Sequence, residues 1–324
     1  MGSSVTTTLI DILGDRAHHH PDRTAYTFLL DGDTQEASLT YRQLEQRVRA
    51  IATQLQACCA PGERVLLLYP PGLDYIIAFL GCLYAGLVAV PAYPPKPNRS
   101  SRLQTLLNDA QVSVALTTRS VLNSLAAQSE HFPELATLKW IVSDELAVLT
   151  APASQPTLTA DTLALLQYTS GSTGTPKGVM VTHGNLLHNL AAIHQRFHHS
   201  ADSVGVIWLP PYHDMGLIGG ILQPLYGGFP VVLMAPLLFM QSPIRWLRAI
   251  SRYQGTTSGG PNFAYELCVR KFQPEWGIDL DLSSWQVAFN GAEPIQAEVM
   301  DRFATTYAPY GFNPDAFHPC YGMA

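Results

Sequence analysis

Lysine is scarce in this 324-residue chain, limited to Lys96, Lys139, Lys177 and Lys271. Together, lysine and arginine number 19 against 25 carboxylates, a formal net charge of -6. That balance argues against nucleic acid as the main partner, since backbone phosphates draw on clustered basic side chains. Charge of either sign is thin at 14%, while apolar residues make up 47%, which excludes a disordered tail. The five cysteines are odd in number and lack C-x-x-C spacing, which argues against a disulfide framework and a zinc site. They read as buried, reduced thiols of a cytoplasmic protein. Long hydrophobic runs are missing too: Gly, Pro or a polar residue interrupts each one well short of the ~18 residues a membrane span needs. The opening MGSSVTTTLIDILGDR shows no basic segment followed by an apolar run, so no secretory signal is expected.

What the chain has instead is an alternation of short apolar runs and amphipathic stretches. Leu44, Val48, Ile51 and Leu55 recur at helical spacing after Thr40, a suitable N-cap. RVLLLYP (64–70) is a continuous apolar run of strand length, and DYIIAFLGCLYAG (74–86) follows as a helix. The pattern repeats through VAVPAYPP, RLQTLLNDAQ, VSVALTT, SVLNSLAAQ and LKWIVSD. A second series runs from LALLQYT (163–169) through VGVIWLP (204–210) and VVLMAP (231–236) to WQVAFNG (285–291). Buried runs alternating with helices predict an α/β fold, with mostly parallel sheets flanked by helices. Two packed subdomains are expected, layered αβαβα: about 60–205, and 1–59 with 206–324. Residues 144–162 and 92–102 read as surface connections. The histidines at 18–20 and at 194, 198 and 199 lack metal-ligand partners at zinc spacing, so no protein-held metal site is expected.

The most specific stretch is YTSGSTGTPKG (168–178). Its glycines let successive backbone N–H groups converge, its hydroxyls add rotatable donors, and Lys177 adds a point charge, a combination suited to phosphate. It is not the G-x-x-x-x-G-K-[ST] loop, because Pro176 replaces that motif's second glycine and Gly178 its hydroxyl residue. VMVTH (179–183) reads as a strand, so the loop lies between two strands.

This string resembles the signature of the adenylate-forming superfamily of acyl-CoA synthetases, luciferases, peptide-synthetase adenylation domains and fatty acyl-AMP ligases. LPPYHDMGLIGG (209–220), SGGPNFAYELC (258–268), FNGAEPI (289–295) and Tyr321-Gly322-Met323-Ala324 follow in that family's order, and their wording is most similar to fatty acyl-AMP ligases. The resemblance implies ATP-dependent activation of a fatty acid as acyl-AMP, with Mg2+ on the phosphates. The acyl group would then pass to the phosphopantetheine thiol of an acyl carrier protein. Amino-acid adenylation, an acyl-CoA synthetase of the same fold and a nucleotide-binding domain without turnover are the rival readings. By the same resemblance the sequence reads as a truncated N-terminal domain without the family's C-terminal lid, so the chain alone is expected to be nearly inactive.

The resemblance also assigns roles. Thr169, Ser170, Gly171, Ser172, Thr173, Gly174 and Lys177 would hold the β- and γ-phosphates. His213 would position the carboxylate, although an isolated histidine is more often a packed or solvated residue. Asp214 sits where amino-acid-activating relatives pair an aspartate with the substrate ammonium. Asn290, Gly291, Ala292 and Glu293 would form the adenine turn, and Tyr321 would stack on the base ahead of Gly322, Met323 and Ala324. The alternatives are an ordinary strand-to-helix turn, with Glu293 near the N-terminus of the helix that follows, and a core tyrosine on an edge strand. Ile218, Ile221 and Phe263, with Leu222 and Met234, are candidates for an acyl tunnel or plain core.

Overall fold

The computed structural model describes residues 7–95, 100–146, 156–169 and 176–322. The described strands are β1 (Thr24–Leu29), β2 (Glu36–Thr40), β3 (Arg64–Leu68), β4 (Val88–Ala92), β5 (Val114–Thr117), β6 (Lys139–Val142), β7 (Leu163–Thr169), β8 (Lys177–Thr182), β9 (Gly205–Ile207), β10 (Val231–Met234), β11 (Thr257–Gly260), β12 (Val287–Asn290) and β13 (Phe317–Pro319). They form two sheets, a six-stranded one in the order β6-β5-β3-β4-β7-β8 and a seven-stranded one in the order β13-β12-β11-β9-β10-β1-β2. The fold is α/β, with largely parallel sheets flanked by helices.

Two compact units follow the two sheets. One contains the chain up to Arg23 and Thr40–Asn189, and the other Thr24–Leu39 and Leu190–Met323. The residues before 60 are therefore shared between the units rather than all belonging to the second. Strand pairing is the reason: β1 pairs in parallel with β10, from Tyr26 opposite Val231 to Leu29 opposite Met234. The Tyr26 hydroxyl also donates to the Ile221 carbonyl at 2.9 Å. Helix Tyr41–Gln56 packs instead on helix Leu73–Tyr84, where a Cβ on Gly81 would come within 2.6 Å of Ile51.

In the six-stranded unit, the central strands β3 and β4 are almost entirely buried, which fits their unbroken apolar sequences. Helix Tyr41–Gln56 begins in a capping box: Thr40 accepts from the Gln43 amide, and Gln43 Oε1 accepts from the Thr40 amide. Helix Leu9–His19 starts the same way, with Thr8 and Asp11. Its first amide, on Leu9, donates to Nδ1 of the buried His183 at 3.3 Å. On one face of the sheet, Leu103, Leu106, Leu107 and Ala110 of helix Ser100–Ala110 cluster with Leu66, Val90, Leu166 and Tyr168. One pairing departs from the parallel expectation. β7 and β8 are antiparallel, because the short connection 170–176 can close only a hairpin.

The seven-stranded unit is held by aromatic residues. Trp246, Tyr265, Trp285, Phe303, Phe312 and Phe317 meet mainly edge-to-face, at centroid distances of 5.0–6.4 Å. Their polar atoms are satisfied as well: Trp246 Nε1 donates to Ser258 Oγ at 2.7 Å, and the Tyr265 hydroxyl to the Phe289 carbonyl at 2.8 Å. Burying each such ring stabilises the fold by about 1.5–3 kcal/mol. Among the described residues no helix is long and apolar enough to cross a membrane.

Candidate active site

In the seven-stranded unit the site forms where parallel strands end. β9 stops at Ile207, and Pro210-Pro211 prevents further pairing. The His213 amide donates to the Pro210 carbonyl at 3.2 Å, and the His213 carbonyl accepts from the Leu217 amide at 2.8 Å. The chain then winds into a π-helix, Met215–Leu222, whose wide turns end in a bond from the Gln223 amide to the Ile218 carbonyl. Such turns are concentrated at functional sites. A Cβ on Gly216 would fall 2.1 Å from the Pro210 carbonyl oxygen, so this approach requires glycine. His213 is left exposed. Asp214 is half-buried and accepts from the Met215 amide at 2.8 Å.

β12 ends at the buried Asn290. The Cys320 amide donates to the Asn290 carbonyl at 2.7 Å, which extends the β12–β13 pairing by one bond. Gly291 then passes so near Cys320 that a Cβ would lie 2.7 Å from its carbonyl oxygen. A Cβ on Gly322 would in turn meet Asp214 Oδ2 at 3.1 Å. His213-Asp214, Gly291–Glu293 and Tyr321-Gly322 are therefore brought together at the carboxyl ends of β9, β12 and β13. Ala292 holds φ at +67°, a left-handed conformation uncommon for a side-chain-bearing residue and typical of strained functional turns. Asn290 Nδ2 points at Met300 Sδ at 3.2 Å, which leaves Oδ1 buried without a hydrogen-bond partner.

Some expected assignments change. Tyr321 is 93% exposed and so is not a core tyrosine. Glu293 does not serve the helix that follows it. Its Oε1 accepts from the Phe263 amide at 2.6 Å and so caps helix Asn262–Arg270. Asn262 Oδ1 accepts from the Gln296 amide at 3.1 Å, just before helix Ala297–Tyr307. The GGPNFAY and NGAEP blocks thus cap each other's helices, a role that no pattern within either block discloses. Ile221, Leu222 and Met234 are buried, and the Ile221 carbonyl accepts from the Tyr26 hydroxyl; Ile218 is half-buried and Phe263 is 39% exposed. His199 is buried between Thr257 Oγ1 and Gln223 Nε2, at 3.2 and 3.3 Å. Of the five free cysteines only Cys82 and Cys268 are buried, while Cys58, Cys59 and Cys320 are partly exposed.

The two ends of the loop expected to hold phosphate belong to the six-stranded unit. Thr169 and the exposed Lys177 lie directly opposite each other in the last pair of the β7–β8 ladder, so the two ends of the loop are adjacent. Ser170, Gly171, Ser172, Thr173 and Gly174, like Met323 and Ala324, lie outside the described residues. Two surface clefts, of about 320 and 360 Å³, are lined by none of the sequence-derived candidates. No group of three or more His, Cys, Asp or Glu among the described residues is arranged to hold a metal ion.

Comparison with known proteins identifies the lineage. The model of the AMP-binding enzyme family matches residues 13–324. The chain belongs to that family. Among its relatives, the medium-chain-fatty-acid–[acyl-carrier-protein] ligase JamA of Moorena producens is 49% identical over 323 residues, covering 98% of this chain and 55% of the relative. The long-chain-fatty-acid–AMP ligase FadD32 of Mycolicibacterium smegmatis is 38% identical, covering 94% of this chain and 50% of the relative. Among solved structures, the fatty acyl-adenylate ligase of L. pneumophila, in complex with acyl adenylate and pyrophosphate, superposes with a TM-score of 0.92 at 43% identity. That match covers 97% of this chain and 55% of the other. The chain spans about half the length of the relatives it matches. The AMP-binding family match thus runs through all of the blocks that carry the site.

Proposed function

We propose that this chain is the nucleotide- and carboxylate-binding part of an enzyme that converts a fatty acid and ATP into acyl-AMP and pyrophosphate. In this reading a carboxylate oxygen attacks the α-phosphorus, and the bond to the bridging oxygen breaks as pyrophosphate leaves. Both reactants are anions, so the protein contributes positioning and charge neutralisation. The acyl group then passes to the phosphopantetheine thiol of an acyl carrier protein, as the relatives' names suggest. A cytoplasmic location suits the five free thiols.

The observation that carries the reading is the cradle at the ends of β12 and β13. It combines a close backbone approach at Gly291, an exposed Tyr321 and a buried acceptor, Asn290 Oδ1, that has no partner. A flat ring bearing an exocyclic amine fits those features. Asn290–Ala292 and Tyr321 then serve adenine, with Glu293 acting indirectly as a cap. Gly322 lies beside them, and Met323 and Ala324, outside the described residues, are assigned to the nucleotide from the sequence pattern alone. Thr169, Ser170, Gly171, Ser172, Thr173, Gly174 and Lys177 serve the β- and γ-phosphates of ATP, which enters as its magnesium complex. Magnesium spreads the charge of the departing pyrophosphate. His213 positions the carboxylate, and Ile218 and Phe263 contact the acyl chain. Asp214 is engaged by the Met215 amide and lies against Gly322, so the reading gives it no substrate ammonium to pair with.

Calorimetry on this chain tests the proposal with a non-hydrolysable dodecanoyl-adenylate mimic, an aminoacyl counterpart and adenosine. The fatty mimic is expected to bind tightest. Lys177→Ala should weaken ATP about tenfold, as expected for losing a charged phosphate contact, and leave adenosine unchanged. Preference for the aminoacyl mimic would overturn the fatty-acid assignment, and an unchanged ATP affinity would remove Lys177 from the phosphate site.

A further inference from the structure

Lys177 can act on phosphates only if β8 is held firmly, and β8 is poorly placed for that. It is the edge strand of its sheet, so a single ladder pairs it. Val179 and Met180 are 44% and 68% exposed, and their side chains anchor it little. One pair behind Thr169 and Lys177, Tyr168 faces Gly178. A Cβ on Gly178 would lie 2.9 Å from Tyr168 Cζ and 3.1 Å from its hydroxyl, so the phenol rests directly against the Gly178 backbone.

The tyrosine is itself fixed from the far side. Its hydroxyl donates to Asp109 Oδ2 at 2.5 Å, near the end of helix Ser100–Ala110. That helix is seated on the sheet by Leu103, Leu106, Leu107 and Ala110, in the same cluster as Tyr168. A buried phenol needs a partner for its hydroxyl, and a carboxylate is a stronger acceptor than water or a carbonyl. Burial and the neighbouring Asp109 also raise the tyrosine's pKa, so the hydroxyl remains the donor at neutral pH.

We propose that Asp109 is a positioning residue for nucleotide binding: by holding the Tyr168 hydroxyl it keeps the ring on Gly178 and fixes the strand that presents Lys177 to the β- and γ-phosphates. The proposal rests on the reading of this loop as the phosphate end of the site. It makes a selective claim. AMP lacks the β- and γ-phosphates, so its binding should not depend on the clamp.

The test uses this chain and the variants Asp109→Ala, Asp109→Asn, Tyr168→Phe and the Asp109→Ala/Tyr168→Phe double. The first measurement is amide exchange at Gly178 and Val179 without nucleotide, which should be faster in Asp109→Ala and Tyr168→Phe than in the parent. The second is calorimetric affinity for ATP and for AMP. Asp109→Ala and Tyr168→Phe should each weaken ATP about fivefold, the scale of one lost hydrogen bond, and the double variant no further. Asp109→Asn keeps an acceptor and should recover most of the loss. AMP affinity should stay at the parent value in all four.

Unchanged exchange, fully additive losses or equal losses for ATP and AMP would each overturn the proposal. If the parent discriminates ATP from AMP and the variants do so equally, the clamp alone fails. If the parent itself fails to discriminate, the phosphate reading of the loop fails and the clamp's purpose with it.

Discussion

In the seven-stranded unit the candidate residues are fixed by close approach of glycine backbone to neighbouring chain. Gly216 lies on the Pro210 carbonyl, Gly291 on Cys320, and Gly322 beside the Asp214 carboxylate. In the six-stranded unit the corresponding element is an antiparallel edge hairpin, with one ladder and one aromatic ring behind it. Under the proposed function the contrast suits what each set of residues would bind. A rigid ring is recognised by fixed donors, acceptors and close approach. A triphosphate that must release pyrophosphate is better met by a loop with rotatable hydroxyls and one flexible lysine. The parallel strand ends favour the first arrangement, and a hairpin permits the second.

The sharpest way to break this comparison is Gly216→Ala. The methyl would collide with backbone rather than with a side chain that could turn away, so local rearrangement is unavoidable. A loss of about 3 kcal/mol or more is expected, at the upper end for overpacking. Urea denaturation followed by tryptophan emission reports it, because Trp208, Trp246 and Trp285 are buried in this unit. A loss under about 1 kcal/mol would mean that the turn yields easily, and that the two units do not differ in rigidity as argued.

Acid should act on both units, through a different histidine in each. Burial pushes both His183 and His199 down to about 4; nearby Asp11 opposes the shift at His183, while His194 and His318 add to it at His199. The unfolded chain takes up these protons near pH 6.5, before the folded chain does. Stability contributed by the neutral rings is therefore complete above that pH and is lost as pH falls toward 4. By pH 5 each histidine accounts for about 2 kcal/mol. His199→Gln should remove its share from the tryptophan-detected transition between pH 7.5 and 5, while the share of His183 remains. An unchanged pH dependence in that variant would show that His199 is already solvated.

Much of this was legible in the sequence because each element signals locally. The apolar run 64–70, the N-cap Thr40, and the hydroxyl-glycine-lysine string each depend on neighbours a few residues away. The boundary between the units was harder to read, since β1 joins β10 across some two hundred residues and nothing near Tyr26 says so. The π-turn was also hidden: HDMGLIGG resembles any glycine-rich helix start until the Pro210 carbonyl is in place. The helix that Glu293 caps was hidden for the same reason, since the amide it accepts from, on Phe263, is thirty residues earlier in the chain. The burial of His199 could not be read locally either, because its partners, Thr257 and Gln223, are remote. Contacts that bring distant segments together decide what local pattern cannot.

The smallest expected effect probes the π-turn from within. Gly216, Gly219 and Gly220 lie along one short stretch, yet only two of them are crowded. A Cβ on Gly220 would touch Ile207 at 2.8 Å, whereas one on Gly219 meets nothing within 4 Å. If room is what makes glycine necessary here, Gly219→Ala should be neutral or should stabilise by about 0.5–1 kcal/mol, by restricting the unfolded chain. If the wide turn itself needs glycine's backbone freedom, the same change should destabilise despite the open space. Urea denaturation of this variant beside Gly216→Ala separates the two causes. A stabilised Gly219→Ala next to a crippled Gly216→Ala would show that close approach to Pro210, rather than flexibility of the π-turn, fixes His213 and Asp214 in place.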